Sequence, residues 1–386
     1  MFVVDSVVTI NRGGVERVTY LLAKDFIKRG HKVSVLSVAN IKEEDKTTLD
    51  LSHIFLPAST PDFKRKLDDL LRENNIDTVI LQGVYTRILF TLQSLSSDVK
   101  SILVLHDKPY HYYGNERKIL GLTPWGDLEL KFKIMKAVAI ISPALHRYII
   151  TKRMGNAYRR ITQKADRFML LSKRFEKAIL DLTPGIDHNK LYAINNPNTF
   201  TPSPYEDINK ENLVIFVGRL SNPQKNLFDF IRVWKAFHQK KSNWKAIVIG
   251  DGEHRNRIEK FAKKHKIENL TFAGNKRNIS EYYKKAKMMC LTSTYEGQPM
   301  VLSEALAHGC IPFVFNTYES VYDIITPGKN GVIVKAYDVQ EMAKQMDMLA
   351  RDDKRFEEMS MVARKSIRKF EIEKITDQWE ELLMTL

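Results

Sequence analysis

Residues 288–315 decide the fold of this chain, and they read MMCLTSTYEGQPMVLSEALAHGCIPFVF. The stretch opens with an apolar run typical of a buried strand and continues into a polar loop at residues 292–298. Pro299 follows, and its fixed φ angle suits the start of a helix, which we expect to run to about His308. A second apolar run at residues 311–315 predicts another strand. The stretch therefore predicts a strand, helix and strand unit, from which parallel sheets are built.

The loop of this unit is the place where a ligand is expected. In open parallel sheets, ligands bind beyond the carboxyl ends of strands and at the N-termini of the helices that follow. Glu296 lies in that loop, and Glu304 lies two turns into the helix. Their backbones would be roughly 12 Å apart along a helix, whereas paired hydrolase carboxyl groups lie about 5 to 9.5 Å apart. We therefore expect the two carboxylates to contact different hydroxyl groups of one long ligand.

The segment YEGQPMVLSEALAHG resembles the signature of the retaining GT-B glycosyltransferases of glycosyltransferase family 4. The resemblance implies an α/β protein of GT-B fold, with two doubly wound Rossmann-like domains facing across a cleft. It also implies that Glu296 faces the donor sugar, that Glu304 binds the nucleotide ribose and that the helix N-terminus faces the diphosphate. The same match predicts four further donor-binding residues, which are Gln298, Pro299, Met300 and Val301.

A second motif follows an apolar strand predicted at residues 213–217, and it reads GRLSNPQKN. It resembles the Gly-Arg…Lys-Asn pattern of the same family, which implies that Gly218 contacts the donor and that Arg219 and Lys225 contact the diphosphate. Arg offers a planar fork for phosphate oxygens and Lys a compact charge. Together with helix N-termini, these cations would stabilise the charge that develops on the leaving diphosphate. The alternative is a pair of solvated basic residues.

The N-terminal half alternates strand-like and helix-like runs, in the order expected of a doubly wound domain. Gly13 and Gly14 fall between the first strand and the first helix, where glycine lets the backbone approach a phosphate. They resemble the donor loop of the family, although a tight turn without a ligand is an equally good interpretation. Strands are predicted at residues 3–8, 33–38, 78–81 and 102–105, and a helix at residues 15–29.

His106 follows the strand predicted at residues 102–105, where functional side chains gather in parallel sheets. Family members often carry a His at this place, so the resemblance implies that His106 faces the donor sugar and the acceptor. The alternative is a capping His in a surface loop.

Three further stretches bear on the donor. Gly250 and Gly252 lack the third glycine of a dinucleotide fingerprint, because Arg255 stands there, and a nicotinamide cofactor is therefore not expected. The stretch that ends at Asn275 resembles the nucleobase-side strand and loop of the family. The stretch NTYES at residues 316–320 replaces a more usual small-residue turn, which leaves the donor sugar open.

No Asp-x-Asp motif is present, so we expect no metal and no cofactor besides the nucleotide-diphospho-sugar substrate.

The length of 386 residues suits two domains, and a composition of 44% hydrophobic and 28% charged residues is that of a globular protein. We predict an acceptor-side domain, a linker, a nucleotide-sugar domain and a terminal helix that packs back on the first domain, at residues 1–195, 196–212, 213–365 and 366–386. No apolar run approaches the roughly 18 residues that cross a bilayer, and no basic-then-apolar leader opens the sequence. A cytoplasmic location is therefore expected.

The net charge of +15 is concentrated in the middle of the chain, where residues 101–200 hold 17 Lys and Arg against 8 Asp and Glu. Residues 131–174 combine these cations with apolar side chains in a helical pattern. This combination predicts a peripheral contact with an anionic membrane surface, and a solvated basic face is the alternative. Nucleic-acid binding is disfavoured, because no zinc-finger spacing, RRM motif or repeat is present.

The sequence thus predicts a retaining, metal-independent hexosyltransferase. It would move a sugar from a nucleotide-diphospho-sugar, with a UDP-sugar favoured, to a bacterial cell-surface glycan or a lipid-linked acceptor, as in lipopolysaccharide or capsule biosynthesis. A nucleotide-sugar epimerase of the same fold and a basic nucleic-acid-binding protein are the alternatives. The donor sugar, the acceptor and the linkage stay open.

Overall fold

The computed structural model describes residues 1–10, 13–46, 49–109, 130–202, 210–221, 223–241 and 243–386, without the side chains of residues 43, 46 and 130–132. The chain divides into two compact units. The first contains residues 1–110, 149–199 and 370–386, and the second contains residues 111–148 and 200–369, each taken here for its described residues only.

The first unit is built on a seven-stranded sheet with the order β3-β2-β1-β4-β5-β6-β7. All neighbouring strands pair in parallel, so their carboxyl ends share one edge. The central strands are almost uninterrupted apolar runs because both faces of the sheet are covered. The strands are β1 Phe2–Val4, β2 Val35–Ser37, β3 His53–Phe55, β4 Thr78–Gln82, β5 Lys100–Leu105, β6 Arg167–Leu170 and β7 Leu191–Ala193.

The second unit contains a six-stranded parallel sheet with the order β10-β9-β8-β11-β12-β13. Its strands are β8 Glu211–Val217, β9 Lys245–Ile249, β10 Leu270–Gly274, β11 Ala286–Leu291, β12 Ile311–Phe315 and β13 Val332–Val334. Cys290 in β11 and Cys310 before β12 are buried and unbridged. Two parallel-sheet α/β units confirm the predicted fold class.

Helices connect the strands of both sheets. Those described are α1 Gly14–Lys28, α2 Phe63–Glu73, α3 Thr86–Ser94, α4 Leu130–Ile141, α5 Pro143–Lys164, α6 Glu176–Leu182, α7 Leu227–His238, α8 Arg255–Lys264, α9 Ile279–Lys285, α10 Met300–Ala307, α11 Val321–Ile324, α12 Val339–Ala350, α13 Asp353–Ser366 and α14 Ile372–Leu383.

The terminal helix α14 belongs to the first unit, where it packs against α1. Its apolar positions recur at helical spacing, and Ile375, Trp379 and Leu382 are buried. At the end of α1, the guanidinium of Arg29 donates hydrogen bonds to side chains of α14, at 2.6 Å to Asp377 and 2.7 Å to Glu380. The hydrophobic stripe and this charged cluster together fix the helix on α1.

Several predicted bounds differ from the structure. The first strand covers only Phe2–Val4, since the carbonyl of Ser6 accepts a hydrogen bond from the Ser37 hydroxyl and the chain has left the sheet ladder. The predicted helix at 299–308 is Met300–Ala307, with Pro299 as its N-cap. Strand β8 begins at Glu211, two residues inside the predicted linker, and residues 203–209 of that linker lie outside the described residues.

Candidate active site

Four neighbouring strands of the second sheet end at the same edge, and most of the predicted donor residues follow them. Gly218 comes after β8, Gly250 after β9 and Asn275 after β10, while the loop at 292–298 follows β11. A Cβ added to Gly250 would lie 2.0 Å from the carbonyl oxygen of Gly218, and the φ angle of Gly250 is +133°. Only glycine allows the two turns to approach so closely.

The loop at 292–298 is anchored by hydrogen bonds to the turn that follows β8. The hydroxyl of Thr292 donates to the carbonyl of Asn226 at 3.0 Å. The backbone N–H of Thr294 donates to the carbonyl of Gln224 at 2.8 Å, and its hydroxyl donates to the carbonyl of Pro223 at 3.0 Å. The Gly-Arg…Lys motif and the Glu296 loop, which lie far apart in sequence, are thereby held side by side.

Lys225 and Glu296 form an ion pair, with Nζ of Lys225 2.5 Å from Oε1 of Glu296. The two side chains are only 15% and 7% exposed. A buried carboxylate needs such a partner, because an uncompensated charge in the interior is strongly destabilising. Arg219 is exposed, and its side chain makes no hydrogen bond or ion pair with the described residues. Its guanidinium is therefore available to an anionic ligand.

The N-terminus of α10 follows directly on the loop that carries Glu296. Its N-cap, Pro299, makes no side-chain capping hydrogen bond. The N–H of Leu302 donates to the carbonyl of Pro299 at 3.1 Å, whereas the first N–H groups of a helix have no acceptor one turn earlier and carry the positive end of its dipole. Gln298, Pro299 and Met300 are buried and Val301 is half-buried. This turn has the properties of an anion-binding site.

Glu304 is fully buried within the second unit. The hydroxyl of Tyr283 donates to its carboxylate at 3.0 Å, and its backbone carbonyl lies 2.8 Å from Nδ1 of His308. Burial lowers the pKa of His308. Asn275, in contrast, is exposed. Contacts of Glu304 with a ribose and of Asn275 with a nucleobase stay predictions.

In the first unit, His106 lies at the carboxyl end of β5 and contacts a residue that the sequence analysis missed. Its Nε2 is 2.5 Å from Oε1 of Gln82, the last residue of β4. Burial lowers the pKa of His106 to about 4, so the imidazole is neutral near pH 7 and acts through hydrogen bonds. The signal for Gln82 was available, because it is a polar residue that ends an apolar strand next to β5.

Gly13 and Gly14 lie at the start of α1, beyond the carboxyl end of β1. Both are exposed, and Gly13 is the N-cap of the helix. A Cβ on Gly13 would lie 2.7 Å from Oε2 of Glu16, whose other carboxylate oxygen accepts a hydrogen bond from the Ser6 hydroxyl at 2.6 Å. Residues 11 and 12 of this glycine turn lie outside the described part of the chain.

Tyr318, which the sequence analysis did not single out, is also close to the ion pair. Its side chain is 2% exposed, and its hydroxyl has no hydrogen-bond partner among the described residues. Burial and the nearby charge of Glu296 raise the pKa of Tyr318 well above its usual value. The sequence signal was the departure of residues 316–320 from the turn usual in the family.

Two family models match the chain, and together they span most of it. The model described as glycosyltransferase family 4 matches residues 12–197, and the model described as glycosyl transferases group 1 matches residues 201–366. An uncharacterized glycosyltransferase of Haemophilus influenzae is 24% identical over 96% of this chain and 96% of its own length.

Two further proteins are similar. The Campylobacter jejuni enzyme named GalNAc-alpha-(1->4)-GalNAc-alpha-(1->3)-diNAcBac-PP-undecaprenol alpha-1,4-N-acetyl-D-galactosaminyltransferase is 31% identical over 45% of this chain and 48% of its own. The crystal structure of Anabaena Alr3699/HepE in complex with UDP-glucose covers 100% of this chain and 99% of its own, with a TM-score of 0.75 and 18% identity. The family models, the two parallel sheets and the cationic site agree, and the chain belongs to the GT-B glycosyltransferases of glycosyltransferase family 4.

Proposed function

We propose that the protein is a retaining hexosyltransferase that uses a UDP-sugar without a metal ion. Its acceptor is a bacterial cell-surface glycan or a lipid-linked precursor of one. Three observations support this proposal: the cationic site of the second unit, the activities of the relatives and the exposed basic segment of α4 and α5.

The arrangement of charges after β8 carries the proposal. Arg219 is exposed and has no hydrogen bond or ion pair with the described residues, and Lys225 is held beside the loop that leads into the N-terminus of α10. A nucleoside diphosphate carries its charge on closely spaced oxygens, which suits one guanidinium, one ammonium and several N–H groups. These groups would stabilise the leaving diphosphate as the bond to the sugar breaks. They supply the positive charge that a metal supplies in other transferases.

The relatives favour the donor and acceptor classes. HepE was crystallised with UDP-glucose, and the Campylobacter jejuni relative is named for an undecaprenol-linked acceptor. Another relative is the poly(glycerol-phosphate) alpha-glucosyltransferase of Bacillus subtilis, 22% identical over 89% of this chain and 47% of its own. By analogy with these relatives, we propose that this chain uses a UDP-sugar as donor and a polymeric or lipid-linked bacterial glycan as acceptor.

The surface of α4 and α5 supports a lipid-linked acceptor. Five large apolar side chains are exposed there, namely Ile134, Ile140, Ile141, Leu145 and Tyr148. Exposed cations, including Arg153, Arg159 and Arg160, follow on α5. Apolar and basic side chains on one segment suit the headgroup region of an anionic membrane. None of the helices that the structure describes meets the length and hydropathy needed to span a bilayer.

The test is transfer from a panel of UDP-sugars to bacterial glycan and lipid-linked acceptors in the presence of EDTA. We expect the product to keep the anomeric configuration of the donor, which NMR of the anomeric proton reports. Arg219→Ala should lower transfer by about 10²- to 10³-fold, because one preorganised contact with a developing anion is lost. Since Arg219 is exposed, its replacement should leave the thermal midpoint nearly unchanged.

Lys240→Ala is the matched control, because Lys240 is an exposed cation of the same unit and should not affect transfer. An inverted product, or loss of all transfer in EDTA, would contradict the proposed mechanism. Conversion of the donor to another sugar nucleotide without an acceptor would instead identify an epimerase.

A further inference from the structure

The hydroxyl of Tyr318 is a buried polar group without a partner in the described part of the chain. Buried hydroxyls almost always make a hydrogen bond, and leaving one unmade costs free energy. At such a position phenylalanine would have nearly the same shape without the cost of burying an unpaired hydroxyl. The hydroxyl therefore calls for a partner that none of the described residues provides.

The backbone on both sides of Tyr318 is fixed to the Glu296 loop. The hydroxyl of Thr317 donates to the carbonyl of Ser293 at 2.7 Å, and the hydroxyl of Ser320 donates to the carbonyl of Gly297. Tyr318 lies between these two anchors and is close enough to sense the charge of Glu296. The two hydrogen bonds thus hold the segment that carries Tyr318 against the loop that carries Glu296.

Glu296 has one side-chain donor among the described residues, and that donor is Lys225. Lys225 is also the residue that the proposed function assigns to the diphosphate of the donor. If its ammonium turns towards phosphate oxygens, the carboxylate of Glu296 loses that contact while only 7% exposed. A buried carboxylate without a donor is unfavourable, so donor binding would require a replacement.

We propose that Tyr318 is a positioning residue, whose hydroxyl donates a hydrogen bond to the Glu296 carboxylate when a nucleoside diphosphate draws Lys225 away. The proposal rests on the proposed function. No covalent bond changes in this step, since one hydrogen-bond donor replaces another. The replacement keeps the Glu296 carboxylate hydrogen-bonded and oriented towards the donor.

The first experiment compares the stability of the free protein with its affinity for UDP. In Tyr318→Phe, the thermal midpoint should stay the same or rise, because the hydroxyl removed has no hydrogen-bond partner among the residues that the structure describes. UDP affinity, measured by calorimetric titration, should fall by about ten- to a hundredfold, as expected for one hydrogen bond to a charged group. A merely structural role would give the opposite result, with lower stability and unchanged affinity.

Two tyrosines of the same unit serve as controls. Tyr283 donates to the buried Glu304, so Tyr283→Phe should lower the thermal midpoint. Tyr322 is 39% exposed, and Tyr322→Phe should change neither the midpoint nor UDP affinity. The three variants together distinguish a buried hydroxyl that is hydrogen-bonded in the free protein, as in Tyr283, from one that becomes hydrogen-bonded only when UDP binds, as proposed for Tyr318.

A double-mutant cycle with Glu296→Ala decides what the hydroxyl contacts. If Tyr318 acts through Glu296, adding Tyr318→Phe to Glu296→Ala should cause no further loss of UDP affinity. Additive losses would overturn the proposal and indicate that the hydroxyl contacts the nucleotide directly. Wild-type affinity in Tyr318→Phe would also overturn it. If the wild-type protein binds none of UDP, GDP and ADP, the proposed function itself fails.

Discussion

At the residue scale, the site depends on positions where a side chain is excluded as well as on its charged groups. The turns after β8 and β9 touch, with Gly250 against the carbonyl of Gly218. Gly252 is similar, since a Cβ there would lie 2.8 Å from the carbonyl oxygen of Leu220. This close approach determines where the backbone of Arg219 lies.

Gly250→Ala should therefore destabilise the second unit by about 2 to 5 kcal/mol, from backbone strain at positive φ and from a clash that the backbone must relieve. Gly30→Ala is the control, because Gly30 has a φ of +96° but nothing within 4 Å of an added Cβ. It should cost only the strain, about 1 to 2 kcal/mol. Chemical denaturation measures both, and equal losses would show that the clash does not matter.

At the element scale, α14 stabilises the first unit although it is the last helix of the chain. Trp379 is 4% exposed and lies next to Val18 and Leu22 of α1 around a small internal cavity. His106 and Gln82 line the same cavity. Trp379 of α14 thus packs at the cavity that His106 and Gln82 line.

Trp379→Ala should destabilise the first unit by about 3 to 5 kcal/mol, since it removes a large buried side chain and leaves a cavity. Met384→Ala, at a side chain that is 86% exposed, should change the unfolding free energy by less than about 0.5 kcal/mol. Urea denaturation compares the two. A small loss in Trp379→Ala would mean that α14 is not an integral part of the unit.

At the scale of the whole molecule, the charge of +15 is the feature that the fold does not explain. Net charge does not specify a fold, but it governs association with charged surfaces. The cations of α5 follow closely in sequence on exposed apolar residues such as Leu145 and Tyr148, whereas no large exposed apolar side chain is found in the described residues of α7, α8 and β9. The first group is therefore the better candidate for a membrane contact.

Reversal of Arg153, Arg159 and Arg160 to Glu should abolish cosedimentation with anionic vesicles, because each basic residue near the headgroups contributes about 1 kcal/mol. The matched control reverses Lys240, Lys245 and Lys260, which are exposed cations of the second unit. It changes the net charge equally and should retain binding. Equal loss in both variants would indicate a nonspecific effect of net charge, and equal binding to neutral vesicles would rule out the electrostatic contact.

The sequence by itself determined the fold class and the residues of the two motifs. Apolar periodicity and glycine placement report local structure, and Arg219, Lys225, Glu296 and Glu304 stand at spacings that resemble one family. Strand ends were less accurate, as for the strand predicted at residues 3–8, because the end of a ladder depends on hydrogen bonds to distant residues such as Ser37.

Only the tertiary structure decided which side chains meet. The pairing of Lys225 with Glu296 joins residues 71 positions apart, and the contact of Gln82 with His106 depends on β4 lying beside β5. That the hydroxyl of Tyr318 has no partner among the described residues likewise becomes apparent only from the packed structure. Local sequence patterns cannot encode such contacts, because burial and partner choice are set by the packing of segments that are remote along the chain.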